Sequence, residues 1–171
     1  MPKIIENVKT RLLAEARRQI AENGYAGTTI RSVAAKCGIA VGTVYNYFPS
    51  KDMLIASFMA QDWAECINGI RALPTSDAKA LLSGIYSGII GFSRSHSALF
   101  SDPEAEKVFF SVVSKRHAQL REQIARVILP VCAGENAAFK ATFIAEAVLT
   151  WSGEGKGFEE VFPLLEPILT K

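Results

Sequence analysis

Apolar residues recur along this chain at helical spacing. Ile5, Val8, Leu12, Ala16 and Ile20 fall three or four positions apart and predict a helix over Ile4–Asn23, ended by Gly24. Two short amphipathic stretches follow, Ile30–Cys37 and Val41–Phe48, separated by Gly38-Ile39-Ala40. Leu54, Phe58, Asp62/Trp63, Cys66 and Ile70 mark a long helix from Lys51 to about Ala72, before Pro74. The next helix, about Asp77 to His96, carries Gly84, Gly88 and Gly91 on one face. Glycine inside a helix costs about 1 kcal/mol relative to alanine, so the three imply a close helix crossing or room for a ligand. After a loop near 97–102, a helix runs from Pro103 to about Leu129, where Pro130 and Gly134 end it. Its charged residues, with Glu122 and Arg126 at i,i+4, read as a solvated face. Asn136–Trp151 is apolar nearly all round apart from Lys140 and Glu146, which implies burial on two sides. A last helix spans about Phe158–Leu169. The whole reads as an all-α chain with a small N-terminal domain over 1–50 and a larger helical domain over 51–171.

The pair of short helices has the spacing of a helix-turn-helix, a shape that fits a DNA major groove. Ala34 sits four residues before Gly38, where the second helix crosses the first and a larger side chain would push the axes apart. Gly38 takes positive φ cheaply at the end of one helix. Ile39 and Val44 wedge the pair from inside. Thr28 and Thr29 are placed to cap the first helix, Pro49 stops the second, and Ser50 caps the next. The second helix also lacks what a solvated face normally carries, since no charge occurs from Gly38 to Ser50. It offers Val41, Gly42, Thr43, Tyr45, Asn46 and Tyr47, groups suited to base edges, thymine methyls and phosphate oxygens. Thr43, Tyr45, Asn46 and Tyr47 are the candidates for bases and backbone. Thr29, Arg31 and Lys51 are the candidates for phosphates.

Charge supports this placement only weakly. The net charge is +2 over 171 residues, but residues 1–60 hold eight Lys/Arg against four acids, a net of +4, and the remainder is at −2. A positive end on a slightly acidic body fits a phosphate-binding head. No apolar run is long enough to span a membrane and MPKIIENVK has no signal core, so a cytoplasmic protein is expected. Cys37, Cys66 and Cys132 are odd in number and lack metal-ligand spacing, and read as reduced thiols in apolar helical contexts. His96 and His117 have no ligand at i+4, and Gly153-Glu154-Gly155-Lys156-Gly157 lacks the spacing of a phosphate loop. No catalytic residue, metal site or cofactor is expected.

The run Gly24-Tyr25, Thr28-Thr29-Ile30, Val33-Ala34, Gly38-Ile39, Gly42-Thr43-Val44-Tyr45, Tyr47-Phe48 and Ser50-Lys51 resembles the TetR family of one-component transcriptional regulators. The resemblance covers residues 1 to about 60; beyond it the chain is similar only in being helical and of suitable length. Ala40 departs from the pattern, standing where the family usually has a capping Ser. The resemblance implies a repressor that binds a palindromic operator in double-stranded DNA as a homodimer. It makes the last two helices the dimer interface, with Phe139, Phe143, Ala147, Val148, Trp151, Phe162, Leu165 and Ile168 as its candidates. It also implies release by a small effector, held in a cavity of the larger domain. Trp63, Ile67, Tyr86, Phe92, Phe109, Phe110, Val113 and His117 are the candidate walls, and each also reads as ordinary core. Their composition fits an apolar or aromatic ligand. Two other readings stay open: a ligand-independent DNA-binding factor with a chromosome-organising role, and a helical interaction module that has lost DNA binding.

Overall fold

The computed structural model describes residues 7–169, with side chains described except at 106 and 108–116. All regular structure among the described residues is helical: α1 (Val8–Gly27), α2 (Ile30–Cys37), α3 (Val41–Tyr47), α4 (Lys51–Arg71), α5 (Ala78–Ser95), α6 (Ser97–Phe100), α7 (Pro103–Ile128), a 3-10 turn (Leu129–Val131), α8 (Ala137–Gly153) and α9 (Phe158–Leu169). The expected helices are all present, and the start expected for the first, at Ile4, lies outside the described residues. α1 breaks at Gly24 (φ 70°, ψ −176°) before a last turn to Gly27. The stretch near 97–102, expected as a loop, contains the one-turn helix α6.

The chain divides into two compact units. The first comprises residues 1–62 and 95–109, and the second 63–94 and 110–171. The first unit therefore reaches past residue 50, taking in the opening turns of α4 and a segment from much later in the chain. Its core is Leu12, Ala16 and Ile20 of α1, Val33, Ala34 and Cys37 of α2, Val44 of α3 with Ile39 and Phe48 beside it, and Leu54, Ile55 and Phe58 of α4. Leu99 and Ala105 from the later segment are buried in the same cluster.

The helix-turn-helix follows from local chemistry. Thr29 caps α2, its hydroxyl accepting from the Ser32 N–H while the Ser32 hydroxyl accepts from the Thr29 N–H, both at 3.0 Å. Gly38 closes α2 at φ 64°, ψ 35°, with its N–H donating to the carbonyls of Ala34 and Ala35. Arg11 reaches across from α1 and donates to the Cys37 carbonyl at 2.6 Å, tying down the end of α2. Ala34 is fully buried, as the crossing requires.

α3 starts without a side-chain cap, because Ala40 holds the N-cap position. Its φ of −63° and ψ of 138° are those of a normal N-cap, so a serine hydroxyl fits there without strain. Ala40→Ser is expected to stabilise the protein by about 0.5–1 kcal/mol, read in thermal denaturation as a rise of about 1–4 °C for a chain of this size. An unchanged or lowered melting temperature would show that the end of α3 is satisfied in some other way.

The second unit packs α5, the second half of α4, the later part of α7, α8 and α9 around Leu81, Leu82, Ile85, Ile124, Ile128, Ile144 and Val148. Gly84 and Gly88 of α5 mark a close approach, whereas a Cβ added at Gly91 would meet nothing within 4 Å. A Cβ added at Gly84 would come within 2.7 Å of the Leu73 side chain, and one at Gly88 within 3.2 Å of Ile70. Glu146, the one acid on α8, accepts from Arg121 at 3.1 Å. Burial pushes all three thiols above the ordinary cysteine pKa.

Candidate nucleic-acid interface

α3 is anchored by one side and presented by the other. Val44 is fully buried and Phe48, just past the helix end, nearly so. Between and around them, Tyr45 is 50% exposed and Tyr47 48% exposed, unusually open for phenols on a helix with an apolar back. Gly42 and Asn46 are also exposed, while Val41 and Thr43 are half-buried. A Cβ at Gly42 would meet nothing within 4 Å, so packing inside the protein does not require glycine there. What glycine leaves is room for a foreign backbone to come close. The helix thus shows an uncharged strip of two phenols, an amide and a hydroxyl.

The expected phosphate-side residues are placed unevenly. Arg31 is exposed on the first turn of α2. Thr29 is exposed too, but its hydroxyl is occupied in the cap. Lys51 turns back into the protein: its ammonium donates to the Tyr25 carbonyl at 2.9 Å and sits 3.5 Å from the Tyr25 ring centroid. The Tyr25 hydroxyl in turn donates to Asp52 at 2.6 Å, and burial together with that bond raises its pKa. The start of α4 is therefore clamped to the end of α1. Ser50 adds a cap, accepting from the Met53 N–H at 3.2 Å. The contacts of Lys51 and Asp52 with Tyr25, like that of Arg11 with Cys37, span 26 or 27 residues of sequence, and no local pattern signals them.

α8 and α9 present a second notable surface. Phe139 is 70% exposed and Leu164 73% exposed, with Phe143 and Trp151 open as well. Phe143, Ala147, Trp151, Leu164 and Ile168 line a groove of about 380 Å³, with Lys156 and Glu160 also in its walls. Three other residues expected at the dimer interface are placed differently. Val148, Phe162 and Leu165 are buried within their own unit, where the apolar stripes of α8 and α9 close on its core, and Leu165 also reaches the wall of the groove. Leu164, not singled out in the sequence, lines the groove as well. Its only sequence signal is that it is one more apolar residue than α9 needs for its core.

Of the candidate cavity walls, Ile67 and Tyr86 lie in the core, and the Tyr86 hydroxyl donates to the Lys156 carbonyl at 2.7 Å. Trp63 and Phe92 meet edge to face at 5.3 Å, and the Trp63 indole N–H donates to Gln123 at 2.8 Å. His117 is half-buried, with Nε2 3.7 Å from Glu146. The side chains of Phe109, Phe110 and Val113 lie outside the described residues. Among the described residues no group of His, Cys, Asp and Glu is arranged to hold a metal ion, and no helix is long and apolar enough to cross a membrane.

The tight turn, the buried crossing and the presented second helix define a helix-turn-helix protein. Residues 12–58 match the family model of bacterial regulatory proteins of the tetR family. Over 54 residues the chain is 37% identical to the HTH-type transcriptional regulator UidR of Escherichia coli K12, a stretch covering 32% of this chain and 28% of that protein. Over 55 residues it is 36% identical to the HTH-type transcriptional repressor KstR of Rhodococcus jostii RHA1, covering 32% and 26%. The matched stretch thus spans under a third of each relative's length. The fold is similar to a TetR-family transcriptional regulator from Pectobacterium atrosepticum, with a TM-score of 0.73 at 22% identity over 95% of this chain and 94% of that one. It is also similar to a TetR-like transcriptional regulator from Rhodococcus, with a TM-score of 0.54 at 21% identity over 94% and 92%. The likeness to the tetR family is thus carried in sequence by the helix-turn-helix segment, residues 12–58, and beyond it by the fold.

Proposed function

We propose that this chain is a transcriptional repressor that reads a palindromic operator as a homodimer, each copy laying α3 in a major groove. The observation that carries this reading is the uncharged, outward strip of α3, with Tyr45 and Tyr47 open beside the buried Val44 and Phe48. A solvent-facing helix gains nothing from such a strip, whereas base edges and phosphate oxygens engage all of its groups. The dimer reading is supported by the apolar groove along α8 and α9, since exposed patches rimmed by polar residues mark association surfaces. Two copies are also what a two-fold operator requires, because two recognition helices must reach grooves about 34–36 Å apart. In this reading a small apolar or aromatic effector enters the second unit, near Trp63 and Phe92. It favours a state whose heads are wrongly spaced for DNA, and switches well only if it binds that state better by about 5 kcal/mol.

The reading is tested by enriching duplexes from a randomised library against the chain and titrating the winner at rising salt. Affinity should fall steeply and linearly on a double-logarithmic plot as condensed counterions are released. A flat response to salt, or no enriched sequence, counts against it.

A further inference from the structure

The first unit holds a polar constellation that the presented face of α3 does not use. Asp62, on the buried side of α4, is gripped by Arg17 of α1 through the Nε–Nη2 edge of the guanidinium. The Arg17 Nε–H donates to Oδ2 at 3.0 Å, and Nη2 donates to Oδ1. His96, only 2% exposed, places its Nε2 3.0 Å from the same Oδ2. Its Nδ1 lies 3.0 Å from the Ser95 hydroxyl. Phe58 stacks against the imidazole at 6.0 Å and 16°, Phe100 tilts over it at 6.3 Å, and the Arg17 guanidinium lies 5.6 Å from the Phe58 ring centre. One carboxylate thus joins three elements, accepting from residues 45 and 34 positions away in the chain.

These elements carry the proposed DNA-reading surface. α2 and α3 pack on α1 through Leu12, Ala16 and Ile20. α4 is fixed to the far end of α1 by the Tyr25 clamp at Lys51 and Asp52. Asp62 supplies a second attachment, three helical turns along α4, to Arg17 in the middle of α1. Two attachments set an angle where one sets only a distance. His96 adds a third leg and brings Leu99 into the shared core. A carboxylate held by two donors in a partly buried site also has a discrete geometry, because losing either donor leaves desolvated charge behind.

We propose that Arg17, Asp62 and His96 form a positioning latch that sets operator affinity by fixing α1, and with it α3, against α4. His96 and Asp62 touch no DNA and act through Arg17. This inference rests on the DNA-binding reading of α3 given above.

The competing role for His96 is plain packing under Phe58, and two substitutions separate the roles. His96→Gln keeps an N–H donor toward Asp62 and gives up the ring stack. His96→Phe keeps the stack and gives up the donor. Fluorescence anisotropy with the duplex enriched by the wild-type chain reads affinity, at a temperature where circular dichroism shows each variant folded. The latch predicts binding within about twofold of wild type for His96→Gln and about tenfold weaker for His96→Phe, the lower range of usual coupling between sites. Asp62→Asn should weaken binding like His96→Phe, and the two together should be no worse than the stronger one alone, because both open the same latch. The opposite order, with His96→Phe binding normally and His96→Gln poorly, overturns the proposal and leaves the DNA-binding reading standing. A wild-type chain that enriches no duplex brings down that reading, and this one with it.

Discussion

Tyr47→Ala is expected to abolish operator binding while leaving the fold and the proposed dimer intact. Tyr47 contributes little to its own domain: it is half exposed, and the anchoring of α3 is done by Val44 and Phe48, which the substitution does not touch. Melting temperature should therefore change little. Its value lies outside the molecule, as a rigid ring with a hydroxyl at its tip. Central aromatic contacts in interfaces commonly cost about 2 kcal/mol or more when truncated. In a two-fold complex both copies lose the contact together, so the combined loss of about 4 kcal/mol is about a thousandfold in affinity. Anisotropy titration of wild type and variant against the same duplex checks this. Undiminished binding by a folded Tyr47→Ala protein would remove α3 from the interface.

Phe143→Asp is expected to split the proposed dimer into monomers, the second large effect. Phe143, Trp151 and Leu164 line a groove that no other segment among the described residues fills. A two-fold contact is self-complementary, so each residue of the patch is buried twice and each substitution counts twice. An aspartate placed there exchanges apolar contact for two carboxylates that must lose water without a partner. With about 2–4 kcal/mol at each copy, the dimer dissociation constant should rise by at least about three orders of magnitude. Sedimentation equilibrium measures this directly. The monomer's own core should survive, because Val148 and Phe162 lie on the inner side of the same helices. If wild type is itself monomeric at micromolar concentration, the groove serves another purpose. Operator affinity should fall along with the dimer, since a lone head holds half the contacts.

The helices were legible because their signals are local. Gly38, Ala34 and the Thr29 cap each report on neighbours within four residues, and the observed turn uses all three. The α3 surface was legible for the same reason: with Val44 and Phe48 turned inward, the period of a helix sends Tyr45 and Tyr47 outward. What sequence could not supply is pairing between distant elements. Segment 95–109 enters the head's core through Leu99 and Ala105, although nothing near it in the chain marks that destination. The faint trace was Asp62, a carboxylate lying in the apolar stripe of α4, which had to find a donor somewhere. Lys51 was opaque in the same way: a lysine at a helix start suits phosphate, and nothing near it in the chain shows that its ammonium meets Tyr25. On α8 and α9, apolar stripes wide enough for two partners do not reveal which residues face which. The core claimed Val148 and left Phe143 outside.

The central claim is that α3 enters the major groove, and methylation interference tests it most directly. Guanine N7 lies on the floor of that groove, so a methyl group there blocks an inserted helix without altering the minor groove. With the enriched duplex partially methylated and sorted into bound and free fractions, the account predicts that bound DNA is depleted of N7-methylguanine at two symmetric positions about one helical turn apart. Equal methylation in the two fractions, or interference confined to minor-groove adenine N3, would contradict it.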